Sequence, residues 1–150
     1  MPSSLIVHDL DRPAIDAILA RNRVGRIAFS HRDRVDIEPI HYVYDAGWVY
    51  ARTSHGTKLA TVARNRWVAF EVDEVDSLYE WRSVVAHGAV YVIEHDDSPS
   101  SREMWTHAVK LLRRLIPETL TARDPTPERD VLFRIPVQEV TGRSATAAFD

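Results

Sequence analysis

The stretch PIHYVYDAGWVYARTSHGTKL, residues 39–59, decides how the rest of the chain is read. Its proline lies inside VDIEPIHYVYD (residues 35–45), a run otherwise rich in β-branched and aromatic residues. Val35, Ile37, Pro39, His41 and Val43 share one face of that strand, and Ile40, Tyr42 and Tyr44 the other. Apolar groups on both faces predict a strand covered on both sides. Pro39 removes one ladder donor, which predicts an edge, a bulge, or something other than a strand alongside. The triplet Asp45-Ala46-Gly47 supplies a turn before the strand WVYAR. After Arg52, Thr53 and Ser54 the alternation breaks, and Leu59, Val62 and Ala63 take up helical spacing, so a short helix is expected to open near Ser54–Gly56. Hydroxyls, helix-start N–H groups and the cations of Arg52 and Lys58 together suit an anion of the phosphate kind. Taken alone, Thr53, Ser54 and Thr57 read more simply as helix caps, and Lys58 as a surface charge.

Working outward, DLDRPAIDAILARN (residues 9–22) predicts a helix capped by Asp11, with Pro13 in its first turn and a stripe of Ile15, Ile18 and Leu19. VGRIAFSH and WVAFEVDEV read as strands, the latter with Val68, Phe70 and Val72 inward. LYEWRSVVAHGAVYVIE (residues 78–94) is long for one strand, and a bend near Gly88 is expected. SPSSREMWTHAVKLLRRLIP predicts a helix with a Ser100/Glu103 capping box, a stripe of Met104, Ala108, Leu111 and Leu115, and an end at Pro117. Residues 117–130 form a Pro-rich loop. VLFRIPVQEV is expected to be a last strand that fades into a polar tail, TGRSATAAFD. Five or six mostly consecutive strands with short connections predict antiparallel pairing in a mainly β chain with flanking helices (α+β). Curling into a barrel and dimerising would both hide the edges of so long a sheet. No linker divides the chain, so residues 1–150 are expected to form one domain.

Composition narrows the function. The chain has 150 residues, 45% hydrophobic and 27% charged, the balance of a globular protein. A net charge of −3 argues against a nucleic-acid partner. With no cysteine, disulfides, zinc–thiolate sites and cysteine nucleophiles are excluded. Seven histidines show no metal-ligand spacing, so no metal is expected, and no G-x-S-x-G elbow suggests a serine hydrolase. No apolar run approaches a membrane span and the N-terminus lacks a signal-peptide pattern, so a cytoplasmic protein without a membrane partner is expected.

The combination of VGRIAFS, the block PIHYVYDAGWVYARTSHGTKLATVARNRWVAFEVDE, WRSVVAHGAVYVIE and the closing IPVQEVTGR resembles the pyridoxamine 5'-phosphate oxidase-like superfamily of FMN-binding split β-barrels. The resemblance implies an antiparallel split β-barrel acting as a homodimer, with FMN in clefts between subunits. It further implies that backbone around Pro39, Ile40 and His41 lies against the flavin ring, and that Ala51 and Arg52 follow it. Thr57 and Lys58 would hold the phosphate, helped by Thr53 or Ser54, with Ser83 at the ring or ribityl chain and Trp81 as an aromatic wall. The chain departs from the oxidase proper in two places. The Arg-rich C-terminal signature for pyridoxamine phosphate is reduced to Arg143, and the Ser-Arg-Lys phosphate turn is Gly56-Thr57-Lys58. Arg52 stands where the nitroimidazole-reductase branch carries a histidine.

The resemblance implies a small oxidoreductase that passes hydride through the flavin to a small-molecule substrate, with NADH or NADPH as donor. Two alternatives stand beside it: a flavin-binding carrier or sensor without turnover, and a reductase of the same fold that uses a deazaflavin.

Overall fold

The computed structural model describes residues 3–57, 59 and 67–149. Among the described residues ten strands and two helices follow in order: β1 (Ser4–Asp9), α1 (Arg12–Arg21), β2 (Val24–His31), β3 (Arg34–His41), β4 (Val43–Asp45), β5 (Trp48–Thr53), β6 (Trp67–Val75), β7 (Trp81–Ala89), β8 (Tyr91–Val92), α2 (Pro99–Leu112), β9 (Val131–Pro136) and β10 (Glu139–Ala148). A six-stranded sheet runs β1-β10-β7-β6-β2-β3, and a four-stranded sheet runs β4-β5-β9-β8. Every described pairing is antiparallel. This is a mainly β, α+β architecture of the split-barrel kind.

Helix α1 forms as its sequence predicts: the Asp11 carboxylate accepts from the Ala14 N–H, and Ile15, Ile18 and Leu19 are buried. They join Ile27, Phe29, Tyr42, Phe70, Val72 and Val84 in the larger core cluster. A second cluster seats α2 on the small sheet through Ala108, Leu111 and Leu112 against Val43, Tyr50 and Leu132.

Several expectations are corrected. VDIEPIHYVYD is two strands in different sheets, because the Tyr42 side chain turns fully into the core and donates its hydroxyl to the Leu19 carbonyl at 2.7 Å. Nor is β3 covered on both sides: Val35 and Ile37 are 78% and 67% exposed. The 78–94 run, by contrast, breaks near Gly88 as expected, at Val90. A Cβ on Gly88 would lie 2.6 Å from the Pro136 carbonyl oxygen, so only glycine lets β7 pass this close to β9. Helix α2 is capped by Ser98, which accepts from the Ser101 N–H at 3.2 Å, and not by a Ser100/Glu103 box. Pro99 suits the first turn, so the cap must precede it. The polar tail is strand β10, inserted between β1 and β7. Its small residues hid it: a Cβ on Gly142 would sit 2.7 Å from the Ile15 side chain, and the bare backbone gives α1 its seat. The short helix expected around Val62 and Ala63 lies outside the described residues.

Candidate functional site

Edge strand β3, the end of β5 and the segment after α2 enclose a cleft of about 370 Å³, within the size range of small-molecule sites. Pro39, Ile40 and His41 line one wall, and Arg52, Thr53, Ser54 and Thr57 another. The remainder comes from Val24, Glu38 and Leu59, from Leu112, Leu115 and Ile116, and from Thr119, Thr126 and Arg129. The cleft thus pairs an apolar side with a side rich in hydroxyls. Pro39 does lie on a sheet edge, the first of the alternatives its position in a strand allows.

Local geometry builds the polar side. Strand β5 ends at Thr53, and Gly56, at φ +74°, turns the chain. The Thr57 hydroxyl donates to the Ser54 carbonyl at 2.9 Å and stands 3.3 Å from the Thr53 hydroxyl. Four hydrogen bonds hold the Arg52 guanidinium: to both Asp124 carboxylate oxygens at 2.6 and 3.0 Å, to the Thr126 hydroxyl at 3.0 Å, and to the Arg129 carbonyl at 3.3 Å. The two charged side chains are 9% and 1% exposed. Asp124 also accepts from the backbone N–H groups of Leu120 and Thr126. Arg52 first, then these N–H groups, hold its carboxyl well below the usual carboxylate range. The Pro-rich segment is thereby latched to β5 as a wall of the cleft.

Seven of the residues expected at the site therefore meet in one cleft, and three of the described ones do not. Ala51 is buried in the core beneath β5. Trp81 and Ser83 lie on β7, paired with Val75 and Asp73, on the open face of the six-stranded sheet. Lys58 lies outside the described residues. Glu38, Thr119, Thr126 and Arg129 are the polar members that sequence reasoning passed over. The one signal for the last three was the Pro-rich loop itself, whose Asp124-Pro125-Thr126 reads as a turn.

That open face carries Arg26, Glu71 and Asp73 together, with Arg26 3.7 Å from Glu71 and 3.4 Å from Asp73. Burial, and then the neighbouring Asp73, push the Glu71 carboxyl from its ordinary 4.5 up to about 7. Because the folded value is raised, the stabilisation from protonated Glu71 is complete below pH 4.5 and is lost as pH rises towards 7. Urea titrations of wild type and Glu71→Gln across this range should show the variant losing less stability with pH. Parallel curves would remove Glu71 as their cause.

Among the described residues no group of three or more histidines and acids could hold a metal ion, and no helix is long and apolar enough to cross a membrane. The family model described as pyridoxamine 5'-phosphate oxidase matches residues 11–144.

The chain belongs to the pyridoxamine 5'-phosphate oxidase family.

Within that family it is similar to a FAD-binding protein from Mesorhizobium loti of known crystal structure. The two are 27% identical, the match covers 93% of this chain and 98% of that one, and the TM-score is 0.74. A Corynebacterium diphtheriae protein of unknown function is 29% identical, with 92% and 97% covered and a TM-score of 0.66. A FAD-binding protein from Mycobacterium smegmatis shares the fold at 23% identity, with 93% and 98% covered and a TM-score of 0.64.

Proposed function

We propose that this family member is a homodimeric flavoprotein that binds FMN or FAD in the cleft and acts as a small oxidoreductase. The observation that carries the reading is the cleft itself, which sets the hydroxyls of Thr53, Ser54 and Thr57 beside the exposed edge at Pro39–His41. The residues fit such a ligand. Apolar Ile40, Leu112, Leu115 and Ile116 suit a ring, and the hydroxyl-lined turn suits a phosphate. A similar protein from Mesorhizobium loti binding FAD supports the same choice.

When bound, the flavin supplies hydride transfer at its N5 atom. The chain's own part is to bind, orient and exclude water. Backbone donors along the sheet edge at β3 can stabilise negative charge on a reduced ring. Thr57 and Lys58 hold the phosphate, with Thr53 or Ser54 helping. Arg52 acts through Asp124 by fixing the loop wall. Val35, Ile37 and Val75 are exposed on the open sheet face, and a second copy seated there would cover them. In that assembly Trp81 and Ser83 reach the flavin from the covered face.

The test is a visible absorbance spectrum of the purified protein, recorded before and after incubation with FMN or FAD and gel filtration. A retained, shifted band near one flavin per chain, eluting at twice the chain mass, is expected. A protein that rejects both flavins would sink the reading. Reduction of the loaded protein by NADH or NADPH then separates an enzyme from a carrier, which has no donor-specific rate.

A further inference from the structure

We infer that Arg129 joins the hydroxyl turn in holding the ligand's phosphate and so helps the cleft select a phosphorylated flavin over an unphosphorylated one. The inference rests on the flavin reading above and assigns the anionic end of the ligand. Two described arginines line the cleft, Arg52 and Arg129. Arg52 is committed: its guanidinium is neutralised by Asp124, and its two terminal nitrogens also donate to the Thr126 hydroxyl and the Arg129 carbonyl. A buried neutral pair offers an oxyanion little net attraction.

Arg129 is in the opposite condition. Its backbone is fixed twice, by its N–H donating to the Thr126 carbonyl at 3.0 Å and by its carbonyl accepting from Arg52 at 3.3 Å. Its side chain is exposed, and among the described residues its guanidinium meets no acceptor. The latch that consumes the charge of Arg52 thus presents the charge of Arg129 from a fixed backbone. A guanidinium can offer two parallel donors to one phosphate, and the cleft adds the Thr53, Ser54 and Thr57 hydroxyls. Glu38 enters the cleft from β3 and disfavours an anion at that end. The FMN monoester and the FAD pyrophosphate share this chemistry; riboflavin lacks it.

The experiment titrates wild type and Arg129→Gln with FMN, FAD and riboflavin by quenching of flavin fluorescence, after thermal melts confirm that both fold. Arg129→Gln should weaken the phosphorylated ligand about tenfold, the size of one lost charge-assisted hydrogen bond, and leave riboflavin unchanged. A loss confined to FMN names the monoester, and one confined to FAD the pyrophosphate. Equal weakening of all three, or no weakening, overturns the inference. If wild type binds no flavin, calorimetry with inorganic pyrophosphate separates the two ideas. Binding that Arg129→Gln abolishes keeps the anion site and discards the flavin, whereas no difference discards both.

Discussion

Asp124→Ala lowers the unfolding free energy by about 3–5 kcal/mol in urea titrations, the range for a buried ion pair that loses one partner. The cost arises less from the missing attraction than from what stays behind. Arg52, 9% exposed, would keep its charge with no counter-ion, and the N–H groups of Leu120 and Thr126 would lose their acceptor. Removing both charges tests that account, since Arg52→Met combined with Asp124→Leu should recover much of the loss. The dependence on pH has a definite sign. The folded Asp124 carboxyl titrates below its ordinary 3.8, so its stabilisation is complete above that value and drains away as pH falls through the folded one. Asp124→Ala should flatten this acid limb. A loss under about 1 kcal/mol, the exposed-pair range, would show that water reaches the pair and that the loop is not latched.

Phe70→Ala should cost a similar amount, about 3–5 kcal/mol, as other large-to-small changes at buried aromatics do. Phe70 is 1% exposed and meets the edge of Tyr42 with ring centroids 5.0 Å apart. Gly25 is another neighbour. A Cβ there would overlap the Phe70 ring and stand 2.9 Å from the Glu71 carbonyl oxygen. The two positions should therefore couple. Gly25→Ala should destabilise wild type and cost about 1–2 kcal/mol less in the Phe70→Ala background, the non-additivity of touching residues. Additive costs would mean that Glu71, and not the ring, excludes the side chain. Gly25 pairs with Ile40 across the β2–β3 hairpin, so the ring supports the strand that lines the cleft.

How far the sequence could be read depended on which force shaped each segment. Where one apolar face met one core, as in α1 and β6, periodicity found the element and its buried residues. The β4–β5 turn was legible as well, because Ala46 and Gly47 both adopt positive φ, which Asp-Ala-Gly announces. Periodicity failed where the chain changes sheets. At Tyr42 and Val90 the alternation runs through a swivel that only tertiary packing imposes. It also failed for β10, where Gly142, Ser144, Ala145 and Ala147 carry little β-propensity and Gly142 leaves room for Ile15 of α1. In the site, the hydroxyl turn and the Pro39 edge were legible as local chemistry. The partner of Arg52 was not, since Asp124 lies 72 positions away and nothing local marks it as an acid bound for burial. Arg129 was hidden for the same reason.

The place of β10 between β1 and β7 also sets a clock. Ser3 donates to the carbonyl of Ala148, 145 positions along the chain, and among the described residues β1 joins the larger sheet through β10 alone. The β2–β3 and β6–β7 hairpins close short loops and can form early. β1 has no such route, and its register waits on a strand drawn from the opposite end of the sequence. Loop closure over that span is entropically dear and its reward comes late, which slows the final stage of folding. Until it is complete, the β7 edge and the apolar side of α1 stand open to other chains, so the risk of aggregation belongs to the interval before β1 and β10 meet.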